Sequence, residues 1–307
     1  MRGQVERIDT QERSVVVDGR RLPYDKVLLA LGADLHPGGP PSASAHNLYD
    51  AQGAATAAEA VKQFRGGSIL IAIAGPPYKC PAAPYETAML LEAHTRKRRV
   101  RATIEVTTPE PRPLPVLPSW CGGEVAKWLA ERGIRYSPEH KVKAVDTRER
   151  VVEYENGTRK SYDLLLGVPL HKPPEVLKAS GFGEGWVPVD RATLKTPVEH
   201  AYAIGDCAGT KLPGDQKLLP RAGVLAEAAG LVAARNIAAE LEGRPPAERF
   251  DGKGACWLEV GDGLATQIEA EFFATPEPRV RIAEPSAEAL AAKERFESDR
   301  LRAWFGA

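Results

Sequence analysis

Three runs of unbroken apolar character constrain this chain more than any other feature: "VLLAL" (27–31), "SILIAIAG" (68–75) and "LLLGV" (164–168). A strand with one wet face alternates apolar and polar residues. These runs do not alternate, so they need cover on both faces, as in a parallel sheet packed between helices. Helical segments alternate with them. Residues 51–65 read as a helix, "SILIAIAG" follows, and a second helix is expected from Pro84 to Arg99. "RATIEVTTP" (101–109) is the next strand and "GEVAKWLAERG" (123–133) the next helix, so the order is that of a doubly wound α/β unit.

The flanking segments extend this pattern. "QVERID", "SVVVDG" and "DKVLLAL" read as three strands in the first 31 residues, with a turn at Asp18-Gly19, and a Pro-, Gly- and Ser-rich stretch at 32–45 reads as a linker. Tyr-Asp precedes both "KVLLAL" and "LLLGV", which points to two related units. "KVKAVD" and "VVEYEN" with Asn156-Gly157 form a strand pair, and 220–243 is expected to be the longest helix. The tail holds a hairpin within 254–273 and a charged helix over 285–303. Four segments result: 1–50, 51–167, 168–245 and 246–307.

Charge excludes some functions. The chain carries 41 basic and 41 acidic residues, so no net field draws it to nucleic acid. The cluster Arg96-Lys97-Arg98-Arg99 falls at a helix end, where cations suit the dipole. Four scattered cysteines with no C-x-x-C spacing indicate neither a disulfide framework nor a metal site. No apolar run is long enough to span a bilayer and the first residues do not read as a signal peptide. The expected location is the cytoplasm, with peripheral attachment to a membrane and export both left open.

Two places carry chemistry. Cys80 stands between prolines ahead of a helix and beside Lys79, where a helix end and a cation should make its thiol acidic and nucleophilic. Asp206 ends the apolar strand of "VEHAYAIGDCAG", where open α/β sheets bind ligands and a carboxylate can hold sugar or ribityl hydroxyls. The helix after Pro220 turns its positive end toward the same crevice. A dinucleotide fingerprint is absent after "SILIAIAG": "AGPPYKC" has one glycine where three are needed. The next strand, ending "VTTPEP", offers no acid in the place that would hold an adenosine ribose.

The blocks "GQVERID…YDKVLLALGA", "PPYKCPAAPYE", "AYAIGDCAG", "LPRAGVLAEAAGLVAARNI", "GKGACWLEVGDG" and "KERFESDRLRAWFG" resemble the FAD-dependent pyridine nucleotide–disulfide oxidoreductase superfamily. Within it they are most similar to the sulfide:quinone oxidoreductase and flavocytochrome c sulfide dehydrogenase branch. The resemblance implies two Rossmann-like domains, the first incomplete because its glycine-rich FAD turn is not in the sequence, plus a small C-terminal α+β region. It implies FAD as cofactor and a redox pair of Cys80 and Cys256, with Glu86 handling protons. Gly205 and Asp206 would lie on the ribityl–pyrophosphate, Val5 by the adenine, Ala30 and Gly32 at the cofactor's inner edge, and Pro220 and Arg221 by the flavin ring. Sulfide would supply electrons and a quinone or cytochrome would accept them. The C-terminal helix would meet a membrane surface, its own domain or a second subunit. An NADH:quinone oxidoreductase and a non-catalytic, partner-binding remnant are the alternatives. Cys121 and Cys207 read as structural.

Overall fold

The computed structural model describes residues 2–36, 39–41, 44–214 and 217–306. Residues 37, 38, 42 and 43 of the expected linker lie outside the described residues. The chain forms two compact units, each assembled from separated segments. The first comprises residues 1–36, 171–254 and 271–277, and the second 37–170, 255–270 and 278–307. Residues 246–254 and 271–277 fall in the first unit, and 255–270 and 278–307 in the second.

The chain opens on an antiparallel meander, β1 (Val5–Asp9), β2 (Ser14–Val17) and β3 (Arg20–Pro23). Its second turn uses Asp18 and Gly19, both at positive φ, the conformation that Asx-Gly pairs tolerate best. β4 (Val27–Leu29) stops two residues short of the expected strand end, because Ala30 is exposed and Gly32 turns the chain at φ 71°. β5 (Asp34–Leu35) follows, and the chain then enters the second unit.

That unit is built on a parallel sheet. β6 (His46–Asn47) leads to α1 (Ala51–Gln63), whose first turn is capped by Asp50 accepting from the Gly53 N–H at 2.6 Å. β7 (Gly67–Ile73), α2 (Ala83–Lys97), β8 (Ala102–Thr107), α3 (Ser119–Glu131) and β9 (Arg135–Ser137) alternate as expected. After the three-stranded insert β10 (Val142–Asp146), β11 (Val151–Tyr154) and β12 (Arg159–Ser161), the chain returns as β13 (Leu164–Val168). The sheet order is β6-β13-β7-β8-β9, parallel at every pairing. All five β13 residues and the last five of β7 are buried, as their sequences require.

β14 (His171–Lys172), pairing with β5, returns the chain to the first unit. α4 (Glu175–Ala179) precedes β15 (Ala201–Ala203), which lies parallel to β4 with Ala203 opposite Leu29. Ile8, Leu29, Phe182, Val187, Ala203 and Cys207 share the core behind this pair. α5 (Gly223–Leu241) begins three residues after Pro220. β16 (Lys253–Gly261) and β17 (Leu264–Glu271) form a hairpin turned at Asp262-Gly263, both at positive φ, and β18 (Arg279–Ile282) completes their sheet. α6 (Ala287–Phe305), capped by Ser286 and ended by left-handed Gly306, equals α5 in length at 19 residues. Among the described residues no helix is long and apolar enough to cross a membrane.

Candidate functional site

Cys80 sits where β7 gives way to α2, on a loop held from several directions. Its carbonyl accepts from the Ala83 N–H at 2.9 Å and from the Tyr49 hydroxyl at 3.4 Å. Tyr78, two residues earlier, is buried and donates its hydroxyl to Glu110 Oε2 at 2.8 Å. These fixings hold Cys80 at φ 44°, a left-handed conformation that costs a non-glycine residue about 1–2 kcal/mol. Glu110 follows β8 by three residues, a carboxylate that the reading of "VTTPEP" passed over. It is buried and also accepts from the Thr108 hydroxyl at 3.3 Å.

The thiol does not have the acidity expected of it. Crowding by surrounding protein raises Cys80 first, and the Glu86 carboxylate raises it further. The N–H groups of Ala83 and Ala82 and the Lys293 ammonium act the other way, without prevailing. The helix end therefore works in the expected direction but is outweighed. The expected help from Lys79 is lost, since its Nζ turns to the Tyr49 carbonyl at 3.1 Å. Cys80 still exposes surface, so solvent limits how far burial can push it.

Cys256 lies on β16 and belongs to the same unit as Cys80. Burial, and then the charge of the Cys80 thiolate, push its thiol up to about 11. The two sulfurs, far apart in sequence, are therefore near enough for the charge of one to act on the other. Both are free thiols.

Glu86 stands in the first turn of α2. Its Oε2 accepts the Glu259 backbone N–H at 2.8 Å, and its Oε1 pairs with Lys293 Nζ at 3.2 Å. Lys293 also reaches Glu259 Oε1 at 2.6 Å. Burial opposes its charge, but hydrogen bonding and charge attraction from the two carboxylates raise it above the ordinary lysine range. Sequence reasoning missed Lys293, because nothing marks it among the many charges of α6.

The other predicted residues gather in the first unit. After β15 the chain turns through Gly205–Cys207, with Gly205 at φ 66°. Gly205, Asp206, Pro220 and Arg221 line one open cleft, together with Ala222 and Leu225 at the start of α5. That helix start has no side-chain cap, leaving backbone N–H groups for an acceptor. Ala30 and Gly32 follow β4 on the loop beside Cys207, whose sulfur meets the backbone N–H groups of Leu31 and Gly32. Val5, partly buried, packs on the core that holds Leu29 and Cys207. Cys207 is buried and donates to the Ile204 carbonyl at 3.2 Å, and Cys121 is likewise buried.

Arg221 is the strongest sign that this cavity takes a ligand. It is only 6% exposed, its guanidinium lies 3.8 Å from the Trp186 ring centroid, and its Nε donates to the Asp206 carbonyl at 3.2 Å. Burial lowers it to about 10, against the attraction of Asp206. Among the described residues its buried Nη2 has no partner. A buried donor left unpaired is costly. An acceptor-rich ring edge would satisfy it, while Asp206 can take ribityl hydroxyls. The residues present fit this part of FAD.

Residues 1–230 match the family model described as pyridine nucleotide-disulphide oxidoreductase. The chain is 23% identical to the mitochondrial sulfide:quinone oxidoreductase of Schizosaccharomyces pombe, over 88% of this chain and 61% of that protein. It thus spans about three fifths of the length of that curated relative. In fold it is similar to the sulfide:quinone oxidoreductase of the hyperthermophilic bacterium Aquifex aeolicus, with TM-score 0.83 and 22% identity, covering 98% of this chain and 74% of that one. A ferredoxin reductase from Rhodopseudomonas palustris matches with TM-score 0.66 and 22% identity, over 88% and 64% of the two chains.

Proposed function

Since the chain belongs to the pyridine nucleotide-disulphide oxidoreductase family, we propose that it works as a flavin-dependent oxidoreductase of the sulfide:quinone type. The observation that supports this reading is that Cys80 and Cys256 belong to one unit and lie near enough for the charge of Cys80 to act on Cys256, with Glu86 bonded to the strand that bears Cys256. Gly205, Asp206, Pro220 and Arg221 would hold the ribityl–flavin part of FAD, which when bound supplies a two-electron acceptor.

In this reading Cys80 and Cys256 enter as a sulfur bridge. Hydrosulfide attacks one sulfur of the bridge; a new S–S bond forms, the old one breaks, and one cysteine leaves as thiolate. In this reading Cys80 leaves as thiolate, because the N–H groups of Ala83 and Ala82 and the Lys293 ammonium favour it against burial and Glu86, whereas the groups acting on Cys256 include none that favours its thiolate. Attack is therefore directed at Cys256, which keeps the incoming sulfur while Cys80 is released. Glu86, bound to the Cys256 strand through the Glu259 N–H, can accept the proton that hydrogen sulfide sheds. The electron acceptor of this reading is a quinone or cytochrome, and the exposed Leu301, Trp304 and Phe305 of α6 offer an apolar end for a membrane surface.

Hydride transfer from NADH is less well supported. The carboxylate beyond β8, Glu110, is already bound by Tyr78 and Thr108. The test is anaerobic. The purified chain should show flavin absorption bands, and these should bleach with sulfide but not with NADH. Bleaching by NADH alone would move the chain to the other branch, and a colourless protein that takes up no FAD would remove the flavin reading altogether.

A further inference from the structure

The cluster of Glu86, Glu259 and Lys293 joins three segments distant in sequence: the first turn of α2, the second half of β16 and the helix α6. Lys293 Nζ bonds both carboxylates, at 3.2 and 2.6 Å, while the Glu259 N–H closes the ring onto Glu86 at 2.8 Å. The cations and anions are unequal in number, two carboxylates to one ammonium. Removing Lys293 would leave two neighbouring carboxylates uncompensated.

The charges that face Cys80 come from several elements. Its carbonyl is bonded by the Ala83 N–H at the start of α2, whose first turn carries Glu86; the Glu86 carboxylate, the N–H groups of Ala82 and Ala83 and, from α6, the Lys293 ammonium act on the charge of its thiol. Cys256 interacts with it from β16 and Tyr49 from the preceding loop. Lys79, its sequence neighbour, is engaged with the Tyr49 carbonyl. Lys293 is thus the side-chain cation among the groups acting on Cys80, and it arrives on a helix that also packs on β16 through Phe296 and Trp257, whose rings lie 5.1 Å apart.

We propose that Lys293 is a positioning residue for the thiol centre: by binding Glu86 and Glu259 together it offsets the carboxylate that faces Cys80 and makes the reactivity of Cys80 depend on the seating of the C-terminal helix. The inference rests on the reading of Cys80 as the reactive thiol, yet it concerns the thiol alone and holds whether or not sulfide is the reductant. Without the ammonium, only the N–H groups of Ala82 and Ala83 oppose the repulsion of a thiolate by Glu86, so less of Cys80 is ionised at a given pH.

The experiment follows alkylation of Cys80 by iodoacetamide in the full chain from pH 7 to 10, read peptide by peptide by mass spectrometry, so neither flavin reduction nor sulfide turnover enters. Lys293→Gln should slow Cys80 roughly three- to tenfold near pH 8 and displace its pH profile upward. Lys293→Arg should retain the wild-type profile. Glu86→Gln should speed Cys80, and Glu86→Gln/Lys293→Gln should recover most of the rate lost in Lys293→Gln, which a merely structural lysine would not produce. Circular dichroism checks that each variant is folded. Should Lys293→Gln not fold, Glu86→Gln and Lys293→Arg in the folded chain still decide the matter. An unchanged profile in Lys293→Gln, no acceleration in Glu86→Gln, or a loss in Lys293→Arg equal to that in Lys293→Gln would overturn the proposal.

Discussion

The Tyr78 hydroxyl donates to Glu110 Oε2 at 2.8 Å, joining the loop before Cys80 to the segment after β8 through two buried side chains. Burial raises Glu110 above the usual carboxylate range, although the hydrogen bonds from Tyr78 and Thr108 pull it down. Between the ordinary glutamate value and that raised value the folded chain holds a proton that the unfolded chain has lost. The residue's contribution to stability therefore falls as pH rises through that window. Glu110→Gln should raise the urea midpoint at pH 8, by about 1–2 kcal/mol of stability, with the difference shrinking toward pH 5. An equal change at both values of pH would contradict the burial of an ionisable group here.

The two cysteines should separate by pH. Cys256, pushed to about 11, should alkylate slowly at pH 8 and gain about tenfold per pH unit until it titrates. Cys80 should react first across that range. Peptide-resolved alkylation rates check the order, and faster labelling of Cys256 at pH 8 would reverse the assignment of leaving group.

Arg221 should decide cofactor retention more by shape than by charge. Arg221→Lys keeps a cation but loses the planar face over Trp186 and the unpaired Nη2. One lost charged hydrogen bond is worth about 1.5–3 kcal/mol, so FAD affinity by fluorescence quenching should fall about tenfold or more. Wild-type affinity in Arg221→Lys would mean that Nη2 does not meet the cofactor.

The backbone of Cys80 offers a prediction independent of chemistry. At φ 44° an alanine is strained and a glycine is not. Cys80→Gly should therefore match or exceed Cys80→Ala in thermal midpoint, by up to about 1 kcal/mol, even though glycine costs more in unfolded-state entropy. A clearly lower midpoint for the glycine variant would indicate a relaxed loop.

Much of the architecture was readable where the chain leaves no choice. The unbroken apolar residues of β7 and β13 demanded cover on both faces, and they occupy the centre of the parallel sheet. β4 was overextended, because apolar character continues through Leu31 while the backbone has already turned away. The place of Cys80 before a helix was legible; the direction of its titration was not. That direction depends on how closely other segments crowd the thiol, and on a glutamate one turn into the helix. Lys79 is adjacent in sequence yet bonded elsewhere, whereas Lys293 is remote in sequence and close in space. Pairings of this kind are made by tertiary contact and leave no local mark.

The polypeptide changes unit five times, after His36, Leu170, Gly254, Ala270 and Glu277. Neither half of the molecule is therefore a cassette that recombination could lift out with a single pair of cuts. Transplanting the surroundings of Cys80 into another scaffold would take three stretches of gene, one for each of Cys80, Cys256 and Lys293. A frameshift ahead of the Lys293 codon would remove the ammonium that binds Glu86, encoded some two hundred codons upstream, which ties α6 to the start of α2.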